Sequence, residues 1–415
     1  LDRISTSHKI GLSSRDGHSA WLNSAALEEL KITKETPQPA GGKILINDQG
    51  ELQGILLEKA LEPFYKLKEN LPLSSHEISQ AFQELYSYGL TAFHSFEGPK
   101  EFRLLQDYAE KNGLESHIWV SLPIESLSQI KETGFQSGFG GRIQFWSLKV
   151  FADGALGSRT AWMKAPYDGS ENWGMAVTSK KEMVEFFSQA LSQKIALSTH
   201  AIGDGAVEAV IQGFLEAKKK ATNLEKAKYC RIEHCQHISL SQIPLLAQAG
   251  LVASMQPCHL LGDYPNIQRF LSRRQKEAYP FRSLLKKKIL LSFGSDAPIE
   301  PPVPFRNFYA ALCRNELLEG QESISIIETL KAHTLWAAQS FGNPILGRIQ
   351  SNCKANLVVV PGSFSKWRKE DFLHQKPAMV ILEGKIQYCH SQLSEHLEKQ
   401  GFQIEEWNRF LSQAM

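Results

Sequence analysis

Leu290-Leu291-Ser292-Phe293-Gly294-Ser295-Asp296-Ala297-Pro298 is an apolar strand that runs into a small-residue turn and stops at a carboxylate. Three other apolar runs end in a comparable way. Phe145-Trp146-Ser147-Leu148-Lys149-Val150-Phe151 carries Lys149 near its end, Ile195-Ala196-Leu197-Ser198-Thr199-His200 stops at an imidazole, and Arg231-Ile232-Glu233-His234 stops at another. The C-terminal tips of parallel strands open into one mouth. A lysine, two histidines and an aspartate, each at the tip of a different strand, therefore form a metal-type donor set spread over a barrel.

Working outward from these four, short apolar strands alternate with amphipathic helical stretches from about Gly89 onward, the pattern of βα units on a parallel sheet. The predicted strands are 90–96, 118–123, 143–151, 195–199, 229–233, 251–256 and 289–294, and 8–14 is taken as an eighth. Helical spacing covers 180–193 and 206–219 between them. An excursion from His18 to about Ser75 holds a short helix (23–30) and then two apolar runs, 43–46 and 52–57, around Asn47-Asp48-Gln49-Gly50. That pattern predicts a β-hairpin insertion at about 33–60, either a lid over the site or decoration. The barrel pattern ends near 342. Residues 343–390 read as part of a small β-sandwich and 391–415 as one docked C-terminal helix.

Composition narrows the function classes. The chain has 415 residues, 42% hydrophobic and 22% charged, an ordinary globular balance. A net charge of +2 gives no field that would select nucleic acid or a membrane, so a small-molecule substrate is expected, and a homodimer is left open. Lys218-Lys219-Lys220 and Lys286-Lys287-Lys288 sit where helices end, which suits the helix dipole. Six cysteines without a C-x-x-C pair indicate neither a disulfide framework nor a thiolate zinc knuckle, and a cytoplasmic location is expected. No apolar run is long enough to span a bilayer. The first residue is Leu1 rather than Met, so a shortened front is expected.

Each strand-tip residue has a chemical reason to be there. Lys149 lies in a run too apolar to hold a bare charge cheaply, so its amine either loses its proton or reaches a carboxylate such as Asp153. A neutral amine can take up carbon dioxide to form a carbamate whose two oxygens bridge cations. His200, His234 and Asp296 complete a mixed nitrogen and oxygen set that zinc accepts. Asp296 can ligate and also take a proton from the attacking water, since a cation lowers the pKa of water toward about 7. His237, three residues beyond His234, is read as a supporting or structural residue.

The blocks Asp16-Gly17-His18-Ser19-Ala20-Trp21-Leu22-Asn23-Ser24, Lys149 to Thr160, His200-Ala201-Ile202-Gly203-Asp204, Arg231 to Gln236, Ala253-Ser254-Met255-Gln256-Pro257 and Gly294 to Pro298 stand in family order. Together they resemble the YtcJ-like metal-dependent hydrolases, family 3 of the amidohydrolase superfamily. The resemblance implies a distorted (β/α)₈ barrel with a composite β-sandwich and a carboxylated Lys149. It also implies one or two zinc ions on Lys149, His200, His234 and Asp296, and hydrolysis of amide or other carbon–nitrogen bonds. His18, Arg159 and His259 match family positions on the substrate side. The family carries a His-x-His pair on its first strand, and none of the 13 histidines here makes one, so the resemblance implies a chain lacking that strand. Two functions stay open, a metal-dependent hydrolase and a non-catalytic barrel that binds a ligand or partner. A phosphate-binding barrel is disfavoured, because Gly294-Ser295-Asp296 is a poor anion cradle.

Overall fold

Three sheets make up the computed structural model, which describes residues 1–67 and 73–414. The first is antiparallel and contains β1 (Gly11–Ser13), β2 (Ser19–Leu22), β3 (Gly42–Ile46) and β4 (Leu52–Glu58), in the order β1-β2-β4-β3. The second is the parallel body: β5 (Ala92–Phe96), β6 (His117–Pro123), β8 (Ile143–Phe151), β9 (Ala196–Ala201), β10 (Arg231–His234), β11 (Val252–Met255) and β12 (Leu291–Phe293). These pair in the order β12-β11-β10-β9-β8-β6-β5, with the two-residue β7 (Phe139–Gly140) hairpinned against β8. The third is a small antiparallel sheet of β13 (Leu357–Val359), β14 (Met379–Leu382) and β15 (Lys385–Cys389).

Most of the parallel strands are buried on both faces, while β5, at the open edge of the sheet, is only partly covered. β9 is buried along its whole length, and β8 over all but Gln144 and its last residue. Capping boxes start several of the outer helices: Ser74 with Glu77, Ser179 with Glu182 and Ser325 with Glu328. In each, serine and glutamate satisfy each other's free backbone N–H groups. Inside the curl, hydroxyls link neighbouring strands. His94 Nε2 lies 2.7 Å from Ser121 Oγ, Ser121 Oγ 2.5 Å from Ser147 Oγ, and Ser147 Oγ 2.8 Å from Ser198 Oγ. Lys149 and His200 stand two residues further along β8 and β9, one rung nearer the mouth. The opposite end is plugged by Phe341, whose ring stacks on Trp119 at 4.5 Å and receives the Arg231 guanidinium at 4.7 Å.

Two sequence expectations change. Residues 8–14 do not supply a barrel strand. Only Gly11–Ser13 is extended, all three residues are exposed, and they pair antiparallel with β2 across the Asp16-Gly17 turn. A strand with no buried face cannot sit in a sheet covered on both sides. Among the described residues, no strand bridges the β5 and β12 edges. The C-terminal segment is two helices, Ser391–Lys399 and Ile404–Ala414, because Gly401 takes φ 77° between them; Met415 lies outside the described residues. Residues 68–72 of the excursion also lie outside them. The second helix docks through Asn408, which both accepts from and donates to the Ile386 backbone at 2.8 Å. No helix among the described residues is long and apolar enough to cross a membrane.

The third sheet is fastened to the body by charge. Arg142, just before β8, donates to both oxygens of Glu383 at 2.5 and 3.0 Å, and Lys354 lies 3.1 Å from the same carboxylate. The Arg142 hydrogen bonds, helped by Lys354 and opposed by burial, hold Glu383 down to about 2, against an ordinary 4.5. A carboxyl whose folded value is depressed stabilises fully above its unfolded value and loses that contribution as pH falls toward the folded one. Glu383→Gln is expected to lower stability most at neutral pH. Its difference from the unchanged protein should shrink between about pH 4.5 and pH 2, read by denaturant unfolding at a series of pH values.

Candidate active site

Lys149, His200, His234 and Asp296 all line one open cavity of about 2200 Å³, together with His18 and His259, and the same cavity extends past Trp119 and Phe341 to Val358 of the third sheet. Alternation along β8 turns Lys149 inward. Its Nζ stands 3.9 Å from the centre of the Phe96 ring and 5.0 Å from that of Phe151, and it makes no hydrogen bond or ion pair among the described residues. Burial pushes this amine below the usual lysine range, against the pull of Glu233 and Asp296. The alternative partner, Asp153, is engaged elsewhere. Its carboxylate accepts the backbone N–H groups of Trp162 (2.9 Å), Ile202 (3.0 Å) and Gly203 (2.8 Å).

The two strand-tip histidines face each other, with ring centres 4.5 Å apart. Burial, reinforced by the neighbouring cationic groups, holds both far below the ordinary imidazole value, so both rings are neutral. In a neutral ring the nitrogen that meets a carbonyl oxygen carries the proton. His200 Nε2 lies 3.1 Å from the Gly154 carbonyl, and His234 Nδ1 lies 2.8 Å from Gln256 Oε1. Each ring is left with one unprotonated nitrogen, Nδ1 of His200 and Nε2 of His234, as metal ligation requires. His234 leaves its strand at φ 74° and Asp296 follows β12 at φ 58°. Such backbone conformations are unfavourable for residues with side chains and cluster at functional tips.

His259 lies deeper in this group than expected for a substrate-side residue. Its Nε2 is 3.3 Å from the Ser295 carbonyl and 4.0 Å from Asp296 Oδ2. His234, His259 and Asp296 each offer one ligand atom, and all three atoms lie within 4.8 Å of one another, close enough to hold one cation. His18 reaches in from the first sheet, its ring centre 5.2 Å from that of His200. Arg159 does not join them. It is exposed, its guanidinium lies 5.2 Å over Phe270, and it is not part of the cavity wall. His237 is buried away from the cavity, and burial lowers it to about 3.

Sequence reasoning passed over two residues of this cavity. His94 is the one imidazole in the predicted strand 90–96, a polar ring in an apolar run, and that signal was available. Glu58 follows the predicted strand 52–57 directly. Nothing in the local pattern showed that the hairpin end folds against the loop after β8, so its role needed the tertiary contacts.

Fold and site together define the hydrolase class of α/β barrels. The chain belongs to the amidohydrolase family, which residues 1–388 match. It is 29% identical over 386 residues to YtcJ of Bacillus subtilis, an amidohydrolase by name, covering 87% of this chain and 70% of that protein. It is 24% identical over 388 residues to the N-substituted formamide deformylase of Arthrobacter pascens, covering 87% and 70%. Among solved structures, an uncharacterised metal-dependent hydrolase of Pyrococcus furiosus superposes with a TM-score of 0.67 at 28% identity, covering 86% of this chain and 72% of that one.

The His234, His259 and Asp296 cluster gives a direct expectation. His259→Ala should weaken binding of added zinc at least about 10-fold in calorimetric titration, the scale of losing a residue that holds or orients a metal. Arg159→Ala should leave that affinity unchanged.

Proposed function

We propose that this chain is a metal-dependent hydrolase of carbon–nitrogen bonds in small non-peptide amides or formamide-like molecules. The observation that carries the reading is Lys149, a buried amine between two aromatic rings with no ion-pair partner among the described residues, placed beside two neutral imidazoles and a carboxylate. A lysine kept for structure would be paired; one whose proton is loosened by burial is closer to reacting. The neutral Lys149 nitrogen would attack carbon dioxide, forming one N–C bond and releasing one proton, to give a carbamate with a single negative charge shared between two oxygens.

The donor set would suit a divalent cation, zinc by its mixture of nitrogen and oxygen atoms; the Lys149 carbamate, His200, His234 and Asp296 would hold it, with His259 within ligand reach of His234 and Asp296. When bound, the cation supplies Lewis acidity, which lowers the pKa of water and steadies a negative oxygen. Asp296 accepts a proton from the attacking water and returns it to the leaving nitrogen. The carbon–oxygen bond forms, the carbon–nitrogen bond breaks, and the products are a carboxylic acid and an amine. His18 flanks the substrate, His259 stands with His234 and Asp296 at the metal position, and the aromatic Phe96 and Phe151 limit water around Lys149. The formamide deformylase among the relatives favours a compact N-acyl group over a peptide.

The test uses protein fed with ¹³C-labelled bicarbonate and zinc. A carbamate carbon signal is expected in the unchanged protein and absent in Lys149→Ala. Asp296→Ala should lower kcat on N-acyl or N-formyl amines by about 10²–10⁴-fold, the range for a lost acid–base group. Undiminished hydrolysis in Lys149→Ala, His200→Ala and Asp296→Ala would overturn the reading. Absence of both hydrolysis and stoichiometric zinc would favour the non-catalytic barrel.

A further inference from the structure

Glu58 ends β4 at φ 52° and ψ −126°, a conformation that residues with a Cβ avoid. Its side chain is 6% exposed and both oxygens are engaged. Oε2 accepts from His18 Nδ1 at 2.8 Å, and Oε1 accepts from Thr160 Oγ at 2.6 Å. The Glu58 N–H also donates to the His18 carbonyl at 3.1 Å, so backbone and side chain grip the same residue. Thr160, in the loop after β8, in turn accepts the Ala155 N–H at 3.0 Å. A Cβ on Gly154 would lie 2.0 Å from Glu58 Oε1 and 2.2 Å from Thr160 Oγ, so only glycine leaves space for this junction. One buried carboxylate thus joins the first sheet, its own strained strand end and the loop that follows Lys149.

The consequence falls on His18. A carboxylate accepts but cannot donate, so the proton of the neutral His18 ring must sit on Nδ1. Nδ1 and Nε2 lie on opposite sides of an imidazole, and with the first turned to Glu58 the second points away from it. Nε2 has no protein partner among the described residues, and the ring lines the cavity beside His200. A carboxylate behind a functional imidazole fixes both tautomer and ring angle, as it does behind many ligating histidines.

We propose that Glu58, braced by Thr160, is a positioning residue that clamps His18 and presents its Nε2 to a polar atom of the substrate held over the His200 ring. The substrate half of this statement rests on the hydrolase reading; the clamp does not.

The experiment is nitrogen NMR of ¹⁵N-histidine-labelled protein, with the His18 ring assigned through His18→Asn and spectra recorded above the ring's titration range. The proton is expected on Nδ1 in the unchanged protein and in Glu58→Gln, whose amide oxygen still accepts from Nδ1 while its NH₂ group faces Thr160. Glu58→Ala should lose that lock and show a mixture of the two tautomers. In turnover, Glu58→Ala should lower kcat/KM about 10–100-fold. It should add nothing to the loss in His18→Asn, because two residues acting as one unit are not additive. Glu58→Gln should recover most of the Glu58→Ala loss. An unchanged Nδ1 proton in Glu58→Ala, or losses that add in the double variant, would overturn the clamp. The spectra need no turnover, so an intact clamp in a protein without hydrolase activity would count against the hydrolase reading alone.

Discussion

The carboxylate of Asp153 is the interaction on which the rest of the site depends. It is fully buried and accepts three backbone N–H groups, one from the loop after β8 and two from the turn after β9. Burial raises it to about 7, against the three hydrogen bonds that favour its charged form. Hydrogen bonds to a charged group contribute about 1.5–3 kcal/mol each, enough together to offset much of the desolvation. The group ties two consecutive strand-tip loops together, just beyond the β8–β9 pairing that sets Lys149 opposite Ser198 and Phe151 opposite His200. It also holds the turn in which the Gly154 carbonyl meets His200 Nε2.

Around that knot the site is built from groups kept away from their usual charge. Burial strips the proton from His200 and His234 and favours the neutral amine on Lys149. A parallel sheet covered by helices keeps most of the strands dry, and the chain opens at the strand tips and along the unbridged side between β5 and β12. The polar side chains sit where charge can still be used, and the hydroxyl rung of Ser121, Ser147 and Ser198 separates them from the apolar floor. The backbone contributes too: His234, Asp296 and Glu58 all take positive φ, which re-aims their side chains at the point where the strand direction would carry them elsewhere.

The seven parallel strands were legible because each is a short apolar run bounded by turn residues, with helical spacing between them. The hairpin was legible from Asn47-Asp48-Gln49-Gly50. Strand ends shifted by one or two residues, since hydrogen-bond pairing stops where the register with a neighbour stops. The reading of 8–14 as a barrel strand failed for a physical reason. Residues that form an extended segment locally pair with whichever edge is nearest, and the Asp16-Gly17 turn put β2 there first. The single C-terminal helix failed at Gly401, because apolar spacing continued through a residue whose backbone broke the helix.

Sequence alone determined which residues end the strands and hence the chemistry on offer: an amine, imidazoles and a carboxylate at tips that must share a mouth. Periodicity and turn signals are local, and a strand tip is a local property. Tertiary structure decided which of those residues meet. It placed His259 beside Asp296, turned Arg159 out over Phe270, engaged Asp153 with backbone instead of Lys149, and brought Glu58 against His18 and Thr160. The two Glu58 contacts alone join residues 40 and 102 positions apart, and no pattern along the chain encodes the packing that closes such distances.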